Sequence, residues 1–203
     1  LLLASASVFA MRLSLSLLAS LFAACSFAPR SVTTSPDWQV SPLWNGVDLA
    51  GWHGQRHFDP YKIDAMSEAE RQKLRAEDDA TLTHWKCEKG ELVNDGEGAY
   101  LTTDRDYGDV DFRFDYKTVA KADSGIYLRG TPQVQIWDPA RTDVGAQVGS
   151  GGLYNNQKNP SAPLVRADNP VGAWNTFRIT MVGDKVTVFL NGMKVAENVT
   201  LEN

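Results

Sequence analysis

The sequence predicts an all-β sandwich of short antiparallel strands carrying one helical insertion. Three observations lead there. Period-two alternation recurs, most clearly over Asp109 to Lys117, where Val110, Phe112, Phe114 and Tyr116 alternate with Asp111, Arg113 and Asp115. That is the pattern of a strand with one buried face. Turn chemistry separates such runs at close intervals, as at Gly183-Asp184 and Asn191-Gly192, and the 16 Gly and 9 Pro fall mostly between them. Helix punctuation occurs once, at Ser67-Glu68-Ala69-Glu70, a capping box in which the Ser oxygen and the Glu carboxylate each take an orphan N–H. No internal repeat is evident.

Composition narrows the class. A chain of 203 residues with 43% hydrophobic and 22% charged content can bury the core of one globular domain. The net charge of −5 and the absence of any basic cluster exclude a phosphate-tracking surface, so nucleic acid is not an expected partner.

The N-terminus reads as a targeting segment over residues 1–24. Met11-Arg12 is a positive start, Leu13 to Ala24 is an apolar run too short to span a bilayer comfortably, and Leu1 to Ala10 lie upstream of the first methionine. Leu21-Phe22-Ala23-Ala24-Cys25 resembles a bacterial lipoprotein cleavage site, with Phe22 where Leu is more usual. Lipidated Cys25 would hold an exported, periplasmic protein at a membrane that it does not span. The alternative is ordinary cleavage near Ala23 or Ala24, with Cys25 incidental. Residues 25–42, rich in Ser, Thr and Pro, read as a tether. Cys87 then has no disulfide partner and is expected to pack rather than react.

The folded part is expected over 43–203. Trp44 and Trp52 flank an Asn45-Gly46 turn. Residues 53–84 break the β rhythm, and the capping box predicts a three-turn surface helix ending near Asp78. Short strands follow at 85–88, 91–94 and 99–103, then 109–117. Residues 139–173 are loop-rich, with Gly149-Ser150-Gly151-Gly152 expected to be a flexible entry to Leu153 to Lys158. Strands over 174–182, 185–190 and 193–196 close the chain. His53 and His57 are four apart but flank Gly54 and precede Asp59-Pro60, so a helical metal pair is not expected. With three His and no Gly-x-Ser-x-Gly elbow, a Ser/His/Asp hydrolase has no support. Neither zinc-type Cys/His spacing nor an Asp-x-Asp-x-Asp calcium loop is present, so no cofactor is predicted and the need for a divalent metal stays open.

The stretch richest in chemistry is 123–138, read as two strands joined at Gly130-Thr131-Pro132. Ile126, Leu128, Val134 and Ile136 would face the core. The opposite face carries Tyr127, Arg129, Gln133, Gln135 and Trp137, with Asp123 and Asp138 at the ends. Aromatics stack on sugar C–H faces, and amides and guanidinium bind hydroxyls in fixed geometry, which suits the floor of a polar cleft. The alternative is that these groups tie the sheet to a covering loop. Tyr154, Asn155 and Asn156 could wall the same cleft, although Asn-rich turns also occur without a ligand.

An ordered series of motifs then resembles a known family. Leu43-Trp44-Asn45-Gly46 to Gly51-Trp52, Gly90-Glu91-Leu92-Val93, Asp123 to Gly130 and Gln133 to Asp138 lead it. Gly152 to Asn156, Gly172-Ala173-Trp174-Asn175 and Val186 to Gly192 continue it. It resembles the 3-keto-disaccharide hydrolase domain (3-keto-glucoside 1,2-lyase/3-keto-2-hydroxy-glucal hydratase domain). The resemblance implies a concanavalin A-like jelly-roll sandwich acting on sugars whose C3 hydroxyl a separate sugar 3-dehydrogenase has oxidised. It differs in two ways: Gln133 stands where many members carry Glu, and the family continues into further C-terminal strands, so the domain at 43–203 looks truncated. A C3 ketone acidifies the C2 proton, so a base, an enolate-stabilising donor and an acid for the C1 leaving group suffice. The implied roles are base for Asp138 or Asp123, donor or acid for Tyr127, keto-oxygen binding for Arg129 and Gln135, and ring stacking for Trp137, with Gln133, Tyr154, Asn155 and Asn156 as further substrate contacts. The competing readings are a non-catalytic carbohydrate-binding module of lectin-like fold, a paired-carboxylate glycosidase, and an envelope scaffold without sugar affinity.

Overall fold

A computed structural model of the chain describes residues 2–5, 9–12, 41–57, 59–129 and 132–202. Residues 13–40, which hold the expected leader core, Cys25 and all but the last two residues of the tether, lie outside them. The described strands are β1 (Leu2–Ser5), β2 (Phe9–Arg12), β3 (Trp52–Gln55), β4 (Trp85–Glu88), β5 (Glu91–Asn94), β6 (Tyr100–Thr103), β7 (Val110–Thr118), β8 (Asp123–Leu128), β9 (Gln133–Trp137), β10 (Leu153–Tyr154), β11 (Trp174–Val182), β12 (Lys185–Leu190) and β13 (Met193–Thr200). Two helices, α1 (Pro60–Asp64) and α2 (Glu68–Asp79), follow β3. Every described ladder is antiparallel, in two sheets ordered β10-β9-β8-β1-β6-β3 and β13-β12-β11-β7-β2-β5-β4. This is the all-β sandwich that the alternation predicts.

The core lies between the sheets. In β7 the alternating positions Phe112, Phe114 and Tyr116 are buried while Asp111 and Arg113 face water. Phe114 lies opposite Phe177 of β11, with ring centroids 5.5 Å apart, and Ile179 lies opposite Phe112. From the other sheet come Leu101, Ile126, Leu128, Val134 and Ile136, all nearly free of solvent. Burying a side chain of this size is worth about 1.5–3 kcal/mol. At the β12–β13 turn, Asn191 and Gly192 both have positive φ, as a two-residue hairpin of the Asn-Gly kind requires. Cys87 packs half-buried against the core, and burial pushes its thiol pKa up.

The helical insertion protects a sheet edge. Ser67 caps α2 as the motif predicts: its N–H donates to Glu70 Oε2 at 2.8 Å and its Oγ accepts from Glu70 N. The far end of α2 lies along β3, where Asp79 accepts from Gly54 N at 2.8 Å and Asp78 from Arg56 N at 2.9 Å. An exposed edge strand invites pairing with another chain. Here two carboxylates satisfy its outward N–H groups, and Asp78, 4% exposed, is also paired with the Arg56 guanidinium.

Two arrangements depart from the sequence pattern. The run Gly149-Ser150-Gly151-Gly152 is not a flexible entry: all four of its members are buried, and it bonds β9 through Gly151 N to Gln135 O and Gln135 N to Gly152 O. Its glycines serve close approach, since a Cβ on Gly151 would lie 2.5 Å from Val195 Cγ2 and one on Gly152 2.4 Å from Ser161 O. The second departure is at the N-terminus. β1 pairs with β6 on one side and β8 on the other, and β2 pairs with β5 and β7. Residues 2–5 and 9–12, within the stretch that reads as a leader, thus occupy an interior position in each sheet.

Candidate active site

The site is built on the outer face of the β10–β3 sheet. Directly opposed residues of an antiparallel pair share a face. The pairs Asp123↔Trp137, Gly125↔Gln135 and Tyr127↔Gln133 therefore stand together, and Tyr154 joins them opposite Gln133. The same face continues past β1 to Tyr100 of β6, and to Gln55 of β3 opposite it. A cleft of about 360 Å³ opens there, lined by Tyr100, Asp123, Tyr127, Gln133 and the turn Gly96-Glu97-Gly98. Asn94, fully buried, holds that turn by donating to Glu97 O and accepting from Gly96 N.

A chain of amides leads to the cleft carboxylate. Gln133 Nε2 donates to Gln135 Oε1 at 2.7 Å, and Gln135 Nε2 donates to Asp123 Oδ1 at 2.8 Å. Arg141 Nη1 stands 3.4 Å from Asp123 Oδ2. Asp123 is half-exposed and so accessible to a ligand. Gly125 is required beneath the chain: a Cβ there would lie 2.5 Å from Gln133 Oε1. Tyr100 and Tyr127 stack at 5.8 Å, with His57 over both at 5.8 and 5.9 Å. Burial pushes the Tyr127 phenol far above its ordinary pKa, with Tyr100 adding to the effect. The Tyr100 phenol is also raised by burial, against a hydrogen bond with Tyr127 that favours its ionised form. Tyr127 is thus a donor that keeps its proton. Among the described residues no three His, Cys, Asp or Glu converge as metal ligands.

A family model for the 3-keto-alpha-glucoside-1,2-lyase-like domain matches residues 38–203. The chain belongs to that family. Its fold is similar to a crystal structure from Parabacteroides distasonis described as a "putative glycosyl hydrolase", with a TM-score of 0.57 and 21% identity over 80% of this chain and 72% of that one. No match is found among curated proteins.

Within this 3-keto-alpha-glucoside-1,2-lyase-like domain the residues singled out from sequence separate into two groups. Asp123, Tyr127, Gln133 and Gln135 come together, with Trp137 and Tyr154 beside them, edge to face at 6.5 Å. Trp137 is fixed by Nε1 donating to Gly149 O at 2.8 Å, and Asn155 is exposed in the left-handed region at φ 65°. The other three are engaged elsewhere. Arg129 ends β8 with φ 50°, and its guanidinium meets Asp109, before β7 in the other sheet, at 3.5 Å. Asp138 is 5% exposed and accepts from Lys121 N and Ala140 N, bonds that hold its carboxyl below the usual range. Asn156 is buried and tied to the chain after β13, donating to Thr200 O and accepting from Glu202 N. Sequence reasoning missed Tyr100, His57, Glu97 and Arg141. Only Tyr100 carried a signal, as an aromatic on the polar face of a predicted strand.

Proposed function

We propose that this domain cleaves 3-keto glycosides by elimination and rehydration. The carrying observation is the convergence of an accessible carboxylate, Asp123, with the stacked phenols of Tyr127 and Tyr100 in a polar cleft. Asp123 takes the C2 proton, acidified by the adjacent C3 ketone, and the electron pair moves into an enolate. The Tyr127 hydroxyl donates to the developing enolate oxygen. The C1–O bond then breaks with formation of a C1–C2 double bond, and the leaving oxygen takes a proton from the solvent-facing side, where His57 stands. Water adds at C1 and a proton returns to C2, so the net reaction is hydrolysis. Arg141, not Arg129, is the guanidinium beside the base. The 3-keto substrate needs a separate sugar oxidoreductase to supply it. Export and anchoring through Cys25 are a separate proposal that rests on residues 11–25: cleavage there would remove β1 and β2 with the leader, and the mass of the mature N-terminus shows whether the folded protein keeps these strands.

One observation favours a second reading. Glu97 lines the cleft with Asp123, and two carboxylates flanking a bond can hydrolyse a glycoside directly. Incubating the protein with a 3-keto disaccharide in D2O separates the two. Deuterium at C2 of the released sugar is expected. Release without deuterium would favour the carboxylate pair, and ligand-induced shifts without turnover would favour a binding module.

A further inference from the structure

The resemblance implies that Gln133 and Gln135 contact the substrate, Gln135 through the keto oxygen. In the structure their amide atoms are engaged elsewhere. Gln135 is 3% exposed and is not among the residues that line the cleft. Its Oε1 accepts from Gln133 Nε2 at 2.7 Å, and its Nε2 donates to Asp123 Oδ1 at 2.8 Å and leans on Ile136 O at 3.4 Å. Gln133 does line the cleft, but its Nε2 is taken by Gln135. Its Oε1 rests against Gly125, where a Cβ would stand 2.5 Å away. That oxygen is buried without a partner among the described residues.

A buried acceptor without a partner is costly and calls for a reason. The reason lies at the other end of the chain. A primary amide has a donor end and an acceptor end. An ionised carboxylate only accepts, so Asp123 turns the NH2 of Gln135 toward itself. The Gln135 oxygen then faces Gln133, which must present its own NH2. The Gln133 oxygen is left over, on Gly125. The reverse direction would give that oxygen a donor, Gln135 Nε2, but would set the Gln135 oxygen against the carboxylate. A hydrogen bond to a charged acceptor is about twice as strong as one between neutral groups, so the carboxylate decides. The charge of the base locks the direction of both amides, and the amides hold the base in return. Asp123 is the first residue of β8 and half-exposed, so burial does not fix its carboxylate. Arg141 stands farther off, 3.4 Å from the other oxygen.

We propose that Gln135, braced by Gln133, is a positioning residue that aims the Asp123 carboxylate at the C2 proton and does not itself touch the substrate. The inference rests on the 3-keto glycoside reading. A base must stand within hydrogen-bond reach of the proton that it removes, which an unheld carboxylate at a strand end does not ensure.

The first test separates kcat from KM on a 3-keto glycoside for Gln135→Met and Gln133→Met, which nearly keep the side-chain volume. Gln135→Met is expected to lower kcat about tenfold, the worth of one such bond, and to change KM by less than about twofold. Gln133→Met, one bond further from the base, should lower kcat severalfold, and it carries the test if Gln135→Met fails to fold. A KM that changes more than kcat would make the amide a substrate contact and overturn the proposal, as would no change in either constant. The second test needs no turnover, so it stands even if the wild type cleaves no 3-keto glycoside and the catalytic reading fails by itself. The side-chain NH2 resonances of Gln133 and Gln135 are compared by NMR between the wild type and Asp123→Asn. Removing the charge unlocks the chain, so both are expected to shift, Gln133 included although its bonds reach Asp123 through Gln135. A Gln133 resonance that stays in place would overturn the locked chain and with it the bracing of the base.

Discussion

The hairpin of β8 and β9 and the strand pair β1 and β2 do the same mechanical job by opposite routes. Both sit inside the sandwich and bond neighbours on each side. The hairpin is local: its strands pair across a short turn, and its two-faced pattern announces core and cleft alike. β1 and β2 pair only with strands about 80 to 125 residues away. They do not pair with each other, and each enters a different sheet. Their residues, Leu2-Leu3-Ala4-Ser5 and Phe9-Ala10-Met11-Arg12, carry no strand signature that a leader would lack. What the hairpin specifies by pattern, β1 and β2 acquire from the interior positions that they fill.

The comparison can be broken at its strongest point. Between β6 and β8, β1 joins the Tyr100 half of the site to the Asp123 half. A chain beginning at Cys25 lacks a central strand in each sheet and is expected to lose more than about 5 kcal/mol, the scale of a whole domain's stability. Near-UV circular dichroism and a thermal melt against the full chain check this. An unchanged melt would mean that β1 and β2 are dispensable.

Within the hairpin the largest expected effect is catalytic. Asp123→Asn should lower turnover of a 3-keto glycoside by about 10²–10⁴-fold, the range for losing a general base, with little change in melting temperature. Asp138, one residue beyond β9, should behave in the opposite sense. Its two oxygens hold backbone N–H groups at 2.8 and 2.9 Å, so Asp138→Ala should cost about 2–3 kcal/mol in a denaturant titration and leave the protein that remains folded active. The folded carboxyl is held below its ordinary value of 3.8. Its stabilisation is therefore complete above that pH and is lost as the pH falls through the folded value, so wild type and variant should converge in strong acid. Gly125→Ala should cost about 1–3 kcal/mol, the overpacking range, and displace the Gln133 amide, visible as a shifted side-chain NH2 resonance. Smallest of all, Arg129→Ala removes a partly exposed pair at 3.5 Å. It should change stability by less than about 1 kcal/mol and turnover by less than threefold, whereas Arg141→Ala should lower turnover by more.

The faces of the strands were legible because side-chain direction follows from parity alone. Tyr127, Gln133 and Gln135 could be placed together without coordinates, as could Ile126 and Val134 behind them. Strand ends were not legible. Arg129 continues the parity of Tyr127, but positive φ at that residue turns it toward Asp109. Asp138 follows the last strand residue, where a carboxylate can serve a ligand or bond the neighbouring backbone with equal sequence support. Glycine carried two opposite meanings. Gly192 marks a turn, while Gly151 and Gly152 mark places where Val195 and Ser161 leave no room for a Cβ.

By itself the sequence determined what depends on near neighbours: strand periodicity, the Ser67–Glu70 cap, the Asn191-Gly192 turn and the two-faced hairpin. It also determined the family, through the order of its motifs. Only the tertiary structure decided what depends on distant pairing. It set Tyr100, Glu97 and His57 against Asp123 and Tyr127, laid α2 along the edge of β3, and gave β1 and β2 their interior positions. These contacts join residues far apart in the chain, and no local pattern encodes which distant partner a strand edge will find.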